Sequence, residues 1–387
     1  MAIAQYEIGQ FLEVAHTLAA SVAKVADRID SEREIPSELT NEIADKGFFQ
    51  LLVPRSLGGT EMGFLDFLQI IEVFADADSS TAWCMTQNNI FAIHSSRIPE
   101  QTAREIWGDK RAVVSNGPPT SSARAVSVDG GYRLSGRWNF STGIPHGTWV
   151  AALTPVRRAD DGDAAGQDEQ VVMLLPKKDI RIIDAWHVKG LRGTGTLSFE
   201  VDDLFVPSIH TYDPAAETRE DGPLYMILTT LLFAAGFATV ALGNARASLN
   251  AAIEIASEKT PIREALILRD MQTTQRLIGE TMAVLGSAKA FLRESVSAVW
   301  EAACKNRSLT IDDRIQLRMA TTFALRRAAD VVDVSYNMSG ANAIFADSPI
   351  QRRFQDAHVM TQQFQGRISN FDSVGRYFLG LDPQGQF

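Results

Sequence analysis

The amino-acid sequence predicts a mainly α-helical protein with a central β domain. Apolar residues recur at helical spacing from the start of the chain to about residue 110, and this rhythm returns from about residue 224. Between residues 112 and 210 the chain shows short apolar runs bounded by glycine, proline and aspartate, as strands do. We therefore expect an N-terminal helical domain over 1–111, a β domain over 112–222 and a helical bundle over 223–387.

Two segments of the first region each have one apolar face. Their apolar residues stand three and four positions apart, which places them on one side of a helix. They are Phe11, Val14, Ala15 and Leu18 in the first segment, and Phe67, Ile70, Ile71 and Phe74 in the second. Pro54, Gly58 and Gly59 interrupt the helical pattern between them. The first region is thus predicted to be several helices separated by a turn.

Five runs in the middle region have strand character. They are AVVSNG, GYRLSGRWNFS, TWVAALTPV, QVVMLLP and TLSFEVDDLFVP. Turn-forming residues separate these runs, and this arrangement predicts an antiparallel sheet or barrel. The stretch 157–169 is rich in aspartate, glycine and alanine, so we expect an exposed loop there.

Helical periodicity in the last region falls into long segments, as in a helix bundle. The segments are 224–258, 270–304, 312–340 and 349–377. The first of them contains a charge-free stretch, 222–245, which is long enough to cross a bilayer. Threonines and glycines dilute this stretch and every later segment is polar, so we interpret it as a buried central helix, with a membrane span as the alternative.

Composition excludes several classes of protein. The formal net charge of -10 argues against a nucleic-acid surface, which needs clustered lysine and arginine. Only two cysteines occur, Cys84 and Cys304, and neither has metal-ligand spacing. We therefore predict no disulfide framework and no metal site. A reducing cytoplasm fits this cysteine usage, and the start of the chain lacks the pattern of a signal peptide.

The middle region also carries the strongest functional signal, GGYRLSGRWNFSTGIPHGTWV. In a strand, Trp138 and Phe140 share one face, and Ser141, Thr142 and Gly143 end the strand with hydroxyl and N–H groups exposed together. Such a surface suits a flat heterocycle with polar edges, although a hairpin with an aromatic packing cluster would use the same residues. A second glycine-rich stretch begins at Trp186 (WHVKGLRGTGTLSFEV), and it is not a dinucleotide-binding fingerprint.

These two stretches, in this order between two helical regions, resemble the acyl-CoA dehydrogenase superfamily. The family patterns are a G-x-K-x-(W/F)-I-T-N strand end and a V-x-G-x-R-G-(S/T) turn. The resemblance extends over nearly the whole chain and implies a middle antiparallel β-barrel between helical domains, the last a four-helix bundle. It also implies flavin-binding residues in the middle domain, which are Phe140, Thr142, Trp138, Ser141, Arg192 and, more weakly, Ser115.

The C-terminal region distinguishes two branches of this superfamily. Dehydrogenases of this type place a catalytic glutamate where this chain has Phe364 or, one register on, Gln365, and neither is a base. The segment SGANAIFADSPIQRRFQDAHVMTQQ instead resembles the flavin-dependent hydroxylases, a branch that includes the two-component aromatic hydroxylases and dibenzothiophene monooxygenases. That branch commonly has a second histidine five residues after the position of His358, where this chain has Gln363.

Three residues are candidates for acid–base or orienting roles. His358 could face the flavin or only bridge two helices, and Gln363 could orient a peroxide or a substrate oxygen by hydrogen bonds. His94 follows an apolar helix, where a core histidine is the alternative to a catalytic one.

The resemblance also implies how the flavin is held and supplied. Arg269 and Gln272 match residues that bind the flavin, but the preceding R-x-x-F-G element is missing, so we expect weak, exchangeable binding. The resulting hypothesis is a monooxygenase that receives reduced FMN or FAD from a flavin reductase and hydroxylates a small aromatic substrate with O2 through a C4a-hydroperoxide. An acyl-CoA dehydrogenase with bound FAD and a non-catalytic ligand-binding protein are the alternatives. A homotetramer is also implied, with neither nucleic acid nor membrane as a partner.

Overall fold

The computed structural model describes residues 6–157, 169–306, 308–385 and 387. Its order of helices, sheet and helices confirms the predicted architecture. The first region contains α1 (Ile8–Lys24), α2 (Ala26–Glu32), α3 (Ser37–Asp45), α4 (Phe64–Ala77), α5 (Ser79–Ala92) and α6 (Glu100–Trp107).

Helices α4 and α5 both pack against the long C-terminal helix at Thr229–Glu258. The apolar face predicted for α4 is buried, from Phe67 to Phe74. The Asp78 carboxylate begins α5 because it accepts a hydrogen bond from the Thr81 backbone N–H at 2.7 Å. Helix α5 is buried on nearly every side, so it runs through the core rather than over the surface.

The described residues of the central domain form one eight-stranded sheet. Its strands are β1 (Val114–Gly117), β2 (Arg124–Val128), β3 (Gly131–Ser141), β4 (Trp149–Arg157), β5 (Glu169–Pro176), β6 (Arg181–Ile183), β7 (Leu197–Pro207) and β8 (Thr211–Tyr212). The five predicted runs correspond to β1, β3, β4, β5 and β7. The short strands β2, β6 and β8 were not predicted, and most of the loop expected at 157–169 lies outside the described residues.

The sheet is mixed, whereas the sequence predicted antiparallel pairing throughout. Its order is β6-β7-β3-β2-β4-β5-β8, and β1 pairs with β4. Strand β4 runs parallel to β1 and β2, and the remaining pairs are antiparallel. The reason is that the chain leaves β3, passes over 142–148 and forms β4 on the far side of β2. A strand placed there runs in the same direction as β2.

The last region is a bundle of α7 (Thr229–Glu258), α8 (Gln272–Asn306), α9 (Ile311–Ser339), α10 (Pro349–Gln362) and α11 (Asn370–Phe378). The segment predicted at 349–377 is two helices, because Gln363 is extended, with φ -68° and ψ 150°, and ends α10. The apolar helix α7 is a core helix, as predicted, since 78% of its most apolar window is buried inside the protein.

Candidate active site

The end of β3 turns one aromatic side chain out of the sheet. The pairing between β3 and β7 shifts register between Trp138 and Ser141, so a bulge interrupts the alternation of side chains. Phe140 lies in this bulge with a positive φ of 58°, which costs a non-glycine residue roughly 1–2 kcal/mol. Its ring is nevertheless 59% exposed. A strained backbone that presents an apolar ring to solvent is a feature that points to a ligand site.

Trp138, an expected flavin contact, lies inside the sheet domain. Its ring is fully buried and stacks on Phe199, with 5.2 Å between the ring centroids and 10° between the planes. Its indole N–H donates to the carbonyl oxygen of Leu153 on β4 at 2.9 Å. Trp138 therefore supports β3 from within the core, and in this chain its ring presents no surface to a ligand.

The second glycine-rich stretch packs against the exposed ring. We name residues 186–196 the cradle turn. The Trp186 ring meets the Phe140 ring edge to face, with 6.2 Å between centroids and 84° between planes. The Trp186 indole N–H donates to the carbonyl oxygen of Leu191 at 3.1 Å. The cradle turn and the end of β3 thus form one aromatic corner.

Arg192, another expected flavin-binding residue, joins the cradle turn to α2. Its Nε lies 3.2 Å from the Asp30 carboxylate and donates to the Asp30 carbonyl oxygen at 3.1 Å. Its Nη1 donates to the carbonyl oxygen of Val188 at 3.3 Å. Burial raises the pKa of Asp30, and the charge of Arg192 opposes that rise. These contacts make Arg192 an anchor of the turn, and a direct flavin contact stays a prediction.

Three hydroxyls expected near the flavin lie together beside Phe140. Ser115 on β1 is fully buried and donates to the carbonyl oxygen of Thr142 at 2.8 Å. The Thr142 hydroxyl lies 3.1 Å from the Thr196 hydroxyl of the cradle turn. The Ser141 hydroxyl is also buried, and it has no hydrogen-bond partner among the residues that the structure describes. An unpaired buried hydroxyl is costly, so a polar ligand that reaches Ser141 would stabilise it.

Helix α10 holds the cradle turn from the opposite side. The Leu191 backbone N–H donates to Oδ1 of the buried Asp356 at 2.6 Å. Burial raises the pKa of Asp356 to about 7, although the Leu191 hydrogen bond lowers it. The sequence matched Asp356 to a family motif without giving it a role, and it singled out neither Trp186 nor Thr196 as a functional residue. The only sequence signal for these three residues is that Asp356 lies in the hydroxylase-like C-terminal segment, and that Trp186 and Thr196 lie in the second glycine-rich stretch.

The residues predicted to act as acid, base or orienting group at the end of α10 form hydrogen bonds to residues outside the cradle turn. His358 lies about 200° around the helix from Asp356, and its Nε2 is 2.9 Å from Oδ1 of Asp333 on α9. Gln363 follows the helix end, and its side-chain oxygen accepts from the Gln365 backbone N–H at 2.6 Å. Both side chains thus have partners outside the aromatic corner, and their catalytic roles stay predictions.

His94 belongs to a different buried cluster. Its ring stacks on Phe91 with 4.9 Å between centroids, and its Nδ1 is hydrogen-bonded to the Tyr212 hydroxyl at 3.0 Å. Burial lowers the pKa of His94 to about 3, and the nearby Arg97 adds to the effect. His94 is consequently neutral near pH 7, as a core histidine would be. A catalytic role for it stays a prediction that these contacts do not support.

Arg269 and Gln272 lie where α8 begins. Both side chains are exposed, and the Arg269 Nε is 3.7 Å from a carboxylate oxygen of Asp270. Flavin binding by these two residues stays a prediction.

Replacing Phe140 by glycine is expected to weaken flavin binding at least tenfold while changing the free energy of unfolding by less than about 1 kcal/mol. Glycine adopts a positive φ without strain, and this offsets the larger entropy of the unfolded chain. Little burial is lost because the ring is mostly exposed. Fluorescence titration with reduced flavin and urea denaturation measure the two quantities.

Phe205→Gly is the matched control, since Phe205 on β7 is also exposed, at 43%, but lacks a positive φ. We expect it to lose stability and to keep its flavin affinity. Equal flavin affinity in both variants and in the unmodified protein would remove Phe140 from the binding site.

Comparison with known proteins identifies the family. The model of the acyl-CoA dehydrogenase N-terminal domain matches residues 9–106, and that of the acyl-CoA dehydrogenase C-terminal domain matches residues 235–366. These two matches flank the sheet and together include more than half of the chain.

Two proteins of known activity and one solved structure are similar to this chain over nearly its whole length. The chain is 29% identical to the indole-3-acetate monooxygenase of Pseudomonas putida, over 92% of this chain and 90% of that protein. It is 26% identical to the oxygenase subunit HsaA of a flavin-dependent monooxygenase of Rhodococcus jostii. That match covers 88% of this chain and 90% of HsaA. The structure of XiaF from Streptomyces, in complex with FADH2 and glycerol, superposes on this chain with a TM-score of 0.91. The match covers 98% of this chain and 97% of XiaF, and at 24% sequence identity it shows that the two share a fold. This chain belongs to the acyl-CoA dehydrogenase superfamily, and the relatives that it resembles are flavin-dependent monooxygenases.

Proposed function

We propose that this chain is the oxygenase component of a two-component monooxygenase. A separate flavin reductase supplies reduced FMN or FAD, and the chain uses it with O2 to hydroxylate a small aromatic compound. The names of the two relatives support this proposal, because one acts on indole-3-acetate and the other is an oxygenase subunit. An indole or a comparable bicyclic aromatic compound is accordingly the first substrate class to test.

The residues at the aromatic corner fit a flavin. An isoalloxazine ring is flat and apolar on its faces and polar along its edges. Phe140 provides an exposed apolar ring, which the largely buried Trp186 supports edge to face. The buried, unpaired hydroxyl of Ser141 belongs to the residue that precedes Thr142. We assign flavin binding to these four residues. When bound, the reduced flavin supplies the electrons that activate O2 for transfer of one oxygen atom to the substrate.

The observation that carries the proposal is the absence of a carboxylate base at 363–365. Gln365 is 5% exposed, and its side-chain oxygen accepts a hydrogen bond from Arg318, while its amide donates to Thr230 at 3.2 Å. Arg318 donates a charged hydrogen bond to this amide, and an uncharged amide cannot remove a proton from a thioester. The chain's own contribution is then to bind the flavin and the substrate, to orient them and to exclude water.

We also propose a cytoplasmic homotetramer with domain boundaries after residues 111 and 222. Large apolar side chains on the bundle are exposed, which supports burial between copies of the chain. They include Ile262, Leu266, Met282, Ile344, Phe345, Ile368, Phe378 and Leu379. Strand β1 begins at Val114 and α7 at Thr229, which agrees with the boundaries. Two free cysteines suit a reducing compartment.

The test combines the purified chain with a separate NADH-dependent flavin reductase, FMN or FAD, and a panel of aromatic compounds that includes indole-3-acetate, under oxygen-18 gas. We expect a hydroxylated product that contains one oxygen-18 atom and forms only when chain, flavin and reductase are all present. Dye-linked oxidation of an acyl-CoA thioester, without any labelled product, would contradict the proposal.

A further inference from the structure

Three buried threonine hydroxyls form a continuous hydrogen-bonded chain from the cradle turn to the end of β3. The Thr194 hydroxyl lies 2.7 Å from the carbonyl oxygen of Leu191 and 2.7 Å from the Thr196 hydroxyl. The Thr196 hydroxyl lies 3.1 Å from that of Thr142. All three threonines are at most 6% exposed. We name them the threonine chain.

The carbonyl oxygen at one end determines the direction of every hydrogen bond in the threonine chain. A carbonyl oxygen only accepts, so the Thr194 hydroxyl donates its single proton to Leu191. Thr194 must therefore accept from Thr196, because its own proton is already in use. By the same step, Thr196 accepts from Thr142. The Thr142 proton consequently points toward the Thr196 hydroxyl and away from the aromatic corner.

A hydroxyl whose proton is already donated can only accept further hydrogen bonds. Thr142 thus presents lone pairs, and no donor, to whatever binds at the aromatic corner. Oxidised and reduced flavins differ in this respect, because reduction adds hydrogen to ring nitrogens that are bare acceptors in the oxidised ring. An acceptor on the protein matches the N–H group of the reduced ring and opposes the lone pair of the oxidised ring.

We propose that Thr194 and Thr196 are positioning residues that make this site select reduced over oxidised flavin by fixing the direction of the Thr142 hydroxyl. The inference rests on the proposed function, since it requires a flavin at the aromatic corner. It assigns the selection to two side chains that need not touch the flavin. This selection also explains why the flavin exchanges. A flavin that has become oxidised loses the hydrogen bond to Thr142 and dissociates.

The test measures the ratio of the dissociation constants of oxidised and reduced FMN, and of FAD, by anaerobic fluorescence titration. Thr196→Val removes the acceptor for the Thr142 proton, so that proton turns toward the flavin. Thr194→Val leaves Thr196 only Thr142 to donate to, which also frees the Thr142 proton. In both variants we expect the preference for reduced flavin to fall about tenfold, the effect of one buried hydrogen bond.

Two further variants separate this effect from a general loss of packing. Thr196→Ser keeps the hydroxyl and should keep the preference. Thr154→Val removes another fully buried hydroxyl, which donates to the carbonyl oxygen of Ala152 at 3.0 Å within β4. This variant should also keep the preference for reduced flavin. Because the two valine variants act from different positions, misfolding of one leaves the other as a test.

The outcomes are distinct. A lowered preference in the valine variants but not in Thr196→Ser or Thr154→Val supports the inference. An unmodified protein that prefers reduced flavin, together with valine variants that keep the same ratio, overturns the inference and leaves the proposed function standing. An unmodified protein that binds neither redox state overturns both.

Discussion

Gly190→Ala is expected to lower the free energy of unfolding by about 2–3 kcal/mol and to weaken flavin binding at least tenfold. A Cβ atom at residue 190 would lie 2.2 Å from the carbonyl oxygen of Gln355 and 2.6 Å from the backbone nitrogen of Asp356. These are backbone atoms of α10, so no side-chain rotation can relieve the overlap. The cradle turn must move away from the helix.

That movement breaks the hydrogen bond from Leu191 to Asp356 and leaves a donor and a carboxyl group buried without partners. It also displaces Trp186, whose indole N–H is bonded to Leu191 and whose ring touches Phe140. Stability and flavin affinity should therefore fall together. Urea denaturation and anaerobic titration with reduced flavin measure them.

Gly9→Ala in α1 is the control, since a Cβ atom there would have no atom within 4 Å. Alanine favours a helix over glycine by up to about 1 kcal/mol, so this variant should be at least as stable as the unmodified protein. A Gly190→Ala variant with the stability and flavin affinity of the unmodified protein would mean that α10 does not hold the cradle turn.

The parts of the molecule that the sequence predicted are those controlled by local periodicity. The run GYRLSGRWNFS has the bounds of β3, and the apolar face of α4 is buried as its spacing indicated. Side-chain alternation placed Trp138 and Phe140 on one face, but Trp138 is buried and Phe140 exposed. The cause is the bulge against β7, which depends on pairing with residues far along the chain.

The candidate site was less predictable because its contacts join distant segments. The hydrogen bond between Leu191 and Asp356 spans 165 positions, and no local pattern encodes it. His358 matched a motif, yet its direction depends on how α10 is rotated against α9, where Asp333 meets it. The motif therefore lies on the helix that contacts the cradle turn, whereas the packing of that helix determines which of its residues reaches the turn.

Asp356→Asn is expected to remove a pH dependence of stability that the unmodified protein shows between pH 5 and 7. Burial raises the pKa of Asp356 to about 7, from an ordinary value of 3.8. In this interval the folded protein holds a proton on Asp356 that the unfolded chain releases. Its stabilising effect is complete below the unfolded pKa and is lost as the pH rises through about 7.

The charges around Asp356 do not cancel this effect. Asp78 and Asp30 raise its pKa further, and Arg352 lowers it, but burial is the largest cause. Asparagine has nearly the same shape, and its side-chain oxygen can still accept the Leu191 N–H. Relative to Asp356→Asn, the unmodified protein should lose about 1.4 kcal/mol for each pH unit between 5 and 7 and nothing more above pH 8.

Urea denaturation at pH 5, 6, 7 and 8, at one protein concentration, measures this difference, since assembly of the chain would make stability depend on concentration. Asp347→Asn is the control, because Asp347 is exposed just before α10. Its pH profile should follow that of the unmodified protein. If Asp356→Asn and the unmodified protein have parallel profiles, the Asp356 carboxyl group is charged throughout this range, and its contact with Leu191 is then a charged hydrogen bond that holds the cradle turn more tightly than a neutral one would.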